Sequence, residues 1–210
     1  MQVLSVNVGL PREVHSGRTT VLTSIFKSPV AGRVAIVGDN LAGDRQSDLS
    51  VHGGPNKAVY VYPSEHYGFW RDALPGVDLP PGVFGENLTT EGLTEEEVHV
   101  GDRLRIGSAE LMVTQPRLPC FKLGIRFDRA DMVKRFLASR RSGFYLAVVT
   151  EGSVAAGDPV EFVSRDTDAV SIRELVGMYA GEDTTPDRLR AAVENPALPE
   201  SWRSSLLAKW

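Results

Sequence analysis

Apolar residues alternate with polar ones over much of the first 165 positions and recur at helical spacing afterwards. The chain therefore reads as a β-rich body with a helical end. Residues 3–8 predict an opening strand. Residues 24–30 and 33–37 predict two more, split by the turn signal Pro29-Val30-Ala31-Gly32. Lys57-Ala58-Val59-Tyr60-Val61-Tyr62 is aromatic and β-branched, and Pro63 ends it. A helix is expected over about 64–73, with Ser64 as its cap and Tyr67, Trp70 and Leu74 on one face. Residues 98–106 predict a hairpin around Gly101-Asp102, 109–114 add a strand, and Gly157-Asp158 leads into another over 159–163. Two tight Gly-Asp turns in an all-β stretch suit a barrel or folded-over sheet, which protects its edges by closure. One internal helix, capped by Asp128, is expected to turn Met132, Val133, Phe136 and Leu137 inward, with Lys134, Arg135, Arg140 and Arg141 outside.

The texture changes after Arg165. Ser171-Ile172-Arg173-Glu174 is a capping box, and Thr185-Pro186-Asp187 and Leu198-Pro199-Glu200 are two further helix starts. Three short helices hold little core of their own. They are expected to dock on the β body or on a partner through Trp202, Leu206, Leu207 and Trp210.

Composition narrows the function classes. The 210 residues are 42% hydrophobic and 24% charged, an ordinary globular balance. Lys and Arg number 23 against 27 Asp and Glu, a formal net charge of −4, so neither a nucleic-acid polymer nor an anionic membrane is an expected partner. The opening residues lack a basic leader, and the apolar run 144–149 is far shorter than the roughly 20 residues of a spanning helix. The expectation is a soluble cytoplasmic protein. The single cysteine, Cys120, excludes an internal disulfide, a four-cysteine zinc site and a self-contained iron–sulfur cluster.

Three segments carry candidate chemistry. Cys120 sits in Gln115-Pro116-Arg117-Leu118-Pro119-Cys120-Phe121-Lys122, a turn stiffened by two prolines. Cations close in sequence favour thiolate, the form that attacks or binds metal; the alternative is a small buried hydrophobe. In Val51-His52-Gly53-Gly54-Pro55-Asn56-Lys57 the paired glycines allow backbone N–H groups to face an anion bracketed by His52 and Lys57, or simply link two strands. In Gly82-Val83-Phe84-Gly85-Glu86-Asn87, Asn87 offers a donor and an acceptor for a heterocycle edge, or serves a turn. Arg45 either clamps a phosphate or pairs with Asp44 or Asp48.

Taken in order, several motifs resemble a MOSC domain, the module named after the C-terminal part of molybdenum-cofactor sulfurase, in its stand-alone YiiM-type branch. They are Gly43-Asp44-Arg45, His52-Gly53-Gly54-Pro55-Asn56-Lys57-Ala58-Val59, Tyr62-Pro63 with Glu65-His66-Tyr67 and Trp70, Phe84-Gly85-Glu86-Asn87-Leu88, and Gln115-Pro116-Arg117 with Pro119-Cys120 and Lys122-Leu123. The resemblance implies a mainly β fold: a MOSC-type closed or partly closed β-barrel over 1–166 with a few peripheral helices, and a three-helix appendage over 167–210. It implies the molybdenum cofactor, a molybdopterin whose dithiolene holds the metal and which carries a phosphate. For this branch it implies an oxidoreductase that removes oxygen from N-hydroxylated compounds such as hydroxylaminopurines, a detoxifying reaction.

Carried onto this chain, Cys120 would be the metal ligand. Lys57, Arg117 and Arg45 would meet anionic groups, with N–H groups from Gly53 and Gly54. Asn87, Glu86 and Gln115 would meet the polar pterin edge, and His52 would be a cofactor contact or proton donor. With no cysteines for an iron–sulfur domain, electrons would come from a separate reductase. No pyridoxal-phosphate domain is present, so pyridoxal phosphate is not expected. Two other functions use the same residues: a persulfide sulfur carrier on Cys120, and a binding or storage protein for the cofactor. Apolar residues in the tail are compatible with a homodimer.

Overall fold

The computed structural model describes residues 1–48 and 53–209. Its strands are β1 (Gln2–Val8), β2 (Arg12–Ser16), β3 (Thr19–Thr23), β4 (Ser28–Pro29), β5 (Val34–Val37), β6 (Asn40–Leu41) and β7 (Val59–Pro63). They continue as β8 (Leu88–Glu91), β9 (Arg103–Ile106), β10 (Ala109–Pro116), β11 (Phe144–Thr150), β12 (Gly152–Val154) and β13 (Val160–Ser164). Six α-helices accompany them among the described residues: α1 (His66–Ala73), α2 (Phe121–Phe127), α3 (Met132–Ser139), α4 (Ile172–Tyr179), α5 (Pro186–Glu194) and α6 (Glu200–Leu207). None is long and apolar enough to cross a membrane.

Eight strands form one sheet in the order β13-β9-β10-β11-β7-β8-β1-β4. Pairing is antiparallel except between β7 and β8, which run parallel because α1 and the loop after it carry the chain back between them. The ladder does not close into the expected barrel. Its edge, β4, is two residues long and includes Pro29, which has no N–H to pass on. A single bridge between Gln2 and Pro159, with Val3 N donating to Asp158 O and Gly157 N to Val3 O, draws β1 against the approach to β13.

The sheet has a core on each side of β7, which explains why that strand is an unbroken buried run rather than an alternation. Val59 and Val61 join one core with Leu104, Leu111, Val113 and Phe144. Tyr60 and Tyr62 join an aromatic second core with Trp70, Phe84, Phe127 and Phe136. Trp70 and Phe136 stack at 5.8 Å between centroids, and Trp70 Nε1 donates to the Tyr62 hydroxyl at 2.6 Å.

The helical end shares the first core. Ile172, Leu175, Met178, Leu198, Trp202 and Leu206 pack with Val98 and Val100. The capping box forms: Ser171 N donates to Glu174 Oε2 at 2.8 Å and Glu174 N to Ser171 Oγ at 3.1 Å. Thr185 caps α5, with Pro186 in its first turn.

Several local expectations are corrected. Residues 98–100 do not fold back on β9: Val100 N donates to Val170 O and Ile172 N to Val98 O, so the tail takes those bonds. Asp128 does not cap α3; it ends α2 at φ 49°, a left-handed setting that Asp tolerates. Ser64 makes no capping bond to α1, whose N-cap position is Glu65. Leu207 is exposed, leaving Trp202 and Leu206 as the docking residues; Trp210 lies outside the described residues.

Candidate functional site

Cys120 stands where β10 ends, the chain turns through two prolines, and α2 begins. Arg117 N donates to Gly143 O at 3.2 Å, fixing the turn, and Cys120 is the N-cap of α2. The thiol is partly exposed and forms no disulfide. It borders a cleft of about 660 Å³, part of it open to solvent. Segments distant in sequence meet there: 23–27 after β3, 45–47, Lys57 and Tyr60 at the start of β7, 84–87 before β8, and 117–122.

Five cations line this cleft, Lys27, Arg45, Lys57, Arg117 and Lys122, and no carboxylate does so among the described residues. Lys27 is neutralised from behind by the buried Asp44, at 2.5 Å. Asp44 also accepts from Gly9 N at 2.8 Å and Asn87 Nδ2 at 2.9 Å. Burial lowers Lys27 from the ordinary lysine value while Asp44 opposes the shift; burial lowers Lys57 as well. Lys122 Nζ donates to Ser47 Oγ at 3.0 Å.

Arg117 is the unusual group. It is only 5% exposed, with its guanidinium 4.8 Å from the centre of the Phe136 ring and 5.4 Å from that of Tyr60. Nη2 donates a long bond to Phe84 O at 3.5 Å, and Nη1 is buried with no partner among the described residues. Buried donors are almost always satisfied. An orphan on a guanidinium that lines a cationic cleft marks a place for an anion. Burial raises the neighbouring Tyr145 phenol, with Arg117 opposing, so the phenol is neutral at pH 7.

The structure thus brings Arg45, Lys57, Asn87, Arg117 and Cys120 to one cleft. Others sit elsewhere. Glu86 is fully buried and accepts from Tyr67 OH, Gly82 N, Phe84 N and Thr89 Oγ1, so it holds the 82–85 loop and presents nothing to a ligand. Asn87 borders the cleft, but its amide is committed: Oδ1 accepts from Tyr60 N at 3.1 Å and Nδ2 donates to Asp44. It positions Asp44 rather than reading a heterocycle. Asp44 is likewise taken by Lys27, so it does not pair with Arg45. Gly53 and Gly54 lie before the 3-10 turn Pro55–Lys57 and line neither cleft. His52 lies outside the described residues.

Gln115 borders a second cleft, of about 760 Å³ and part of it open to solvent, which also reaches the cysteine. Its Nε2 donates to Asn56 O at 3.0 Å. Cys120, Lys57, Leu118 and Tyr145 border both clefts, and the far wall of the second comes from the tail: Tyr179, Ser201, Trp202 and Ser205. The sequence pointed to Asp44 only as a candidate partner of Arg45 and did not single out Lys27, since an ion pair seventeen positions apart leaves no local signal. Tyr60 read only as a strand residue, and Tyr145 only as part of the apolar run 144–149.

A family profile of the MOSC domain matches residues 48–161. The chain is 39% identical over 207 residues to YflK of Bacillus subtilis, covering 99% of this chain and 93% of that one. A reductase of Gibberella moniliformis is 34% identical over 167 residues, covering 75% of this chain and 30% of that longer protein. Among solved structures, YiiM from Geobacillus stearothermophilus superimposes with a TM-score of 0.81 at 35% identity, covering 99% of this chain and 98% of that one.

Proposed function

Because this chain belongs to the MOSC-domain family and is of the YiiM type, we propose that it is a molybdenum cofactor-dependent reductase of N-hydroxylated compounds. The observation that carries the proposal is the buried Nη1 of Arg117, without a partner among the described residues, in a cation-lined cleft beside the chain's only thiol. A relative named as a reductase supports the reaction class.

The residues fit the group. Cys120 is the soft ligand a molybdenum centre takes. Arg117, Lys57, Arg45 and Lys122 suit phosphate and other anionic oxygen. Lys27, with Asp44 behind it, adds a fixed donor without net charge. When bound, the cofactor supplies the two-electron redox chemistry; the protein orients it and manages protons. The overall reaction is R–NHOH + 2 e⁻ + 2 H⁺ → R–NH₂ + H₂O, which breaks the N–O bond. Electrons come from a separate reductase. His52 is proposed as a cofactor contact or proton donor, from its place four residues before Asn56 in the glycine turn.

The test is the molybdenum content of the full chain made in a host that synthesises the cofactor. About one metal per chain is expected, lost in Cys120→Ser. That variant should keep its melting temperature, because Ser is a better helix N-cap than Cys and no hydrogen bond of the thiol is lost. Metal-free wild-type protein with an added sulfur on Cys120 by mass spectrometry would replace this reading with the sulfur carrier. Bound cofactor that never reduces a hydroxylaminopurine would replace it with the storage protein.

A further inference from the structure

The two clefts that meet at Cys120 differ sharply in chemistry. The first is lined by five cations. In the second, Lys57 is the only charged residue among those described, and it stands in the shared wall. Apart from the Cys120 thiol, the remaining lining is neutral: Tyr145, Tyr179 and Trp202, with Pro116, Leu118 and Pro119, the Gln115 amide, and Ser201 and Ser205 from α6. Tyr179 and Trp202 pack against each other, ring centres 5.4 Å apart, and Lys209 lies over the Tyr179 ring with its ammonium 3.7 Å from the ring centre. An anionic group gains little from this side. A neutral, flat, polar-edged ring gains aromatic surface and hydroxyl partners there.

We propose that the second cleft is the substrate site, and that the C-terminal helices exist in part to build it. The occupant is a neutral planar heteroaromatic compound bearing an exocyclic N–OH. Its ring would lie among Tyr145, Tyr179 and Trp202, and its hydroxylamine would point at the wall that carries Cys120. Ser201 and Ser205 would meet the ring's polar edge. The anionic cofactor and the neutral substrate thus approach the same sulfur through different clefts, sorted by charge. The identity of the reacting group rests on the function proposed above; the assignment of the cleft rests on its shape and lining.

The two are tested separately. Adenine, the reduced and unreactive counterpart of a hydroxylaminopurine, is titrated by calorimetry into the full chain prepared without molybdenum. Binding is expected, and Ser205→Phe and Ser201→Phe should each weaken it by about tenfold or more by filling the cleft from the surface of α6. Thermal melts identify any variant that fails to fold, and the other then decides. In protein loaded with molybdenum, both variants should keep the wild-type metal content while raising KM for 6-hydroxylaminopurine. Adenine that fails to bind the wild type, or binds both folded variants as tightly, overturns the assignment. So does loss of molybdenum in the Ser variants, which would give the second cleft to the cofactor. If molybdenum never loads into any version, the proposed reductase fails, while the adenine titration still decides the cleft.

Discussion

Arg117→Met separates holding a ligand from holding the fold. Methionine keeps an unbranched stem beside Phe136 and Tyr60 and removes the guanidinium. Two favourable contributions disappear: the cation–π contacts at 4.8 and 5.4 Å, worth about 1 kcal/mol together, and the 3.5 Å bond to Phe84 O, worth about 0.5 kcal/mol. One unfavourable contribution also disappears, the buried Nη1 without a partner among the described residues, which costs about 1–3 kcal/mol. The terms oppose, so the ligand-free variant should lie within about 1.5 kcal/mol of wild type, a melting shift of at most about 6 °C for a chain of this size. Loaded protein behaves differently. A charge-assisted bond worth about 1.5–3 kcal/mol is lost, which weakens cofactor retention roughly tenfold to a hundredfold. Calorimetric melting of molybdenum-free protein and metal content after prolonged dialysis of loaded protein measure the two effects. A fall of about 8 °C or more in the ligand-free melt would make Arg117 a structural residue. Wild-type retention in the variant would refute the anion contact.

The buried Glu86 and Lys27 carry two further predictions. Burial raises the Glu86 carboxyl above its ordinary value, so the folded state holds that proton more tightly than the unfolded state; its ionisation subtracts stability as the pH climbs from the unfolded carboxylate range through the raised folded value. Gln does not titrate, so the stability advantage of wild type over Glu86→Gln should be largest at acid pH and shrink above that window. Urea unfolding at a series of pH values reads this, and an advantage that widens with pH would contradict it. Lys27→Met strands the carboxylate of Asp44, whose side chain is 1% exposed, with only neutral donors, and should cost about 3–5 kcal/mol; adding Asp44→Asn should recover most of that loss. A cost below about 1 kcal/mol would mean that water reaches Asp44.

Local rules read some of the chain well. The capping box at Ser171 and the start at Thr185 are realised bond for bond, because a cap is decided by residues three apart. The alternation over 109–114 is the heart of β10. Long-range pairing defeated the hairpin expected at Gly101-Asp102. Asp102 instead accepts from His99 N and from Asp166 N, so one carboxylate ties both the turn and the entry to the tail. The site was legible in part. Cys120, Arg117, Lys57 and Arg45 announce themselves by type and by neighbouring Gly and Pro, and they do meet. Glu86 and Asn87 looked equally promising, but their burial and full sets of partners show that they organise the cleft. Nothing in the order of residues tells that Trp202, more than eighty positions away, lines a cleft with the same cysteine.

Backbone bonds from Val98 and Val100 reach residues 170–172, and Met1 and Val3 bond with residues 157–160. During synthesis β1 can pair with β4 and β8 as soon as these emerge, but its bonds to residues 157–160, and those of Val98 and Val100 to the tail, must wait until about residue 172 has left the ribosome. Until then apolar edges stay uncovered, and the nascent chain depends on chaperones or rapid collapse to remain soluble. A stop codon between residues 117 and 143 would yield a product without β11, the strand that joins β7 to β10, and such fragments are expected to be cleared rather than to accumulate.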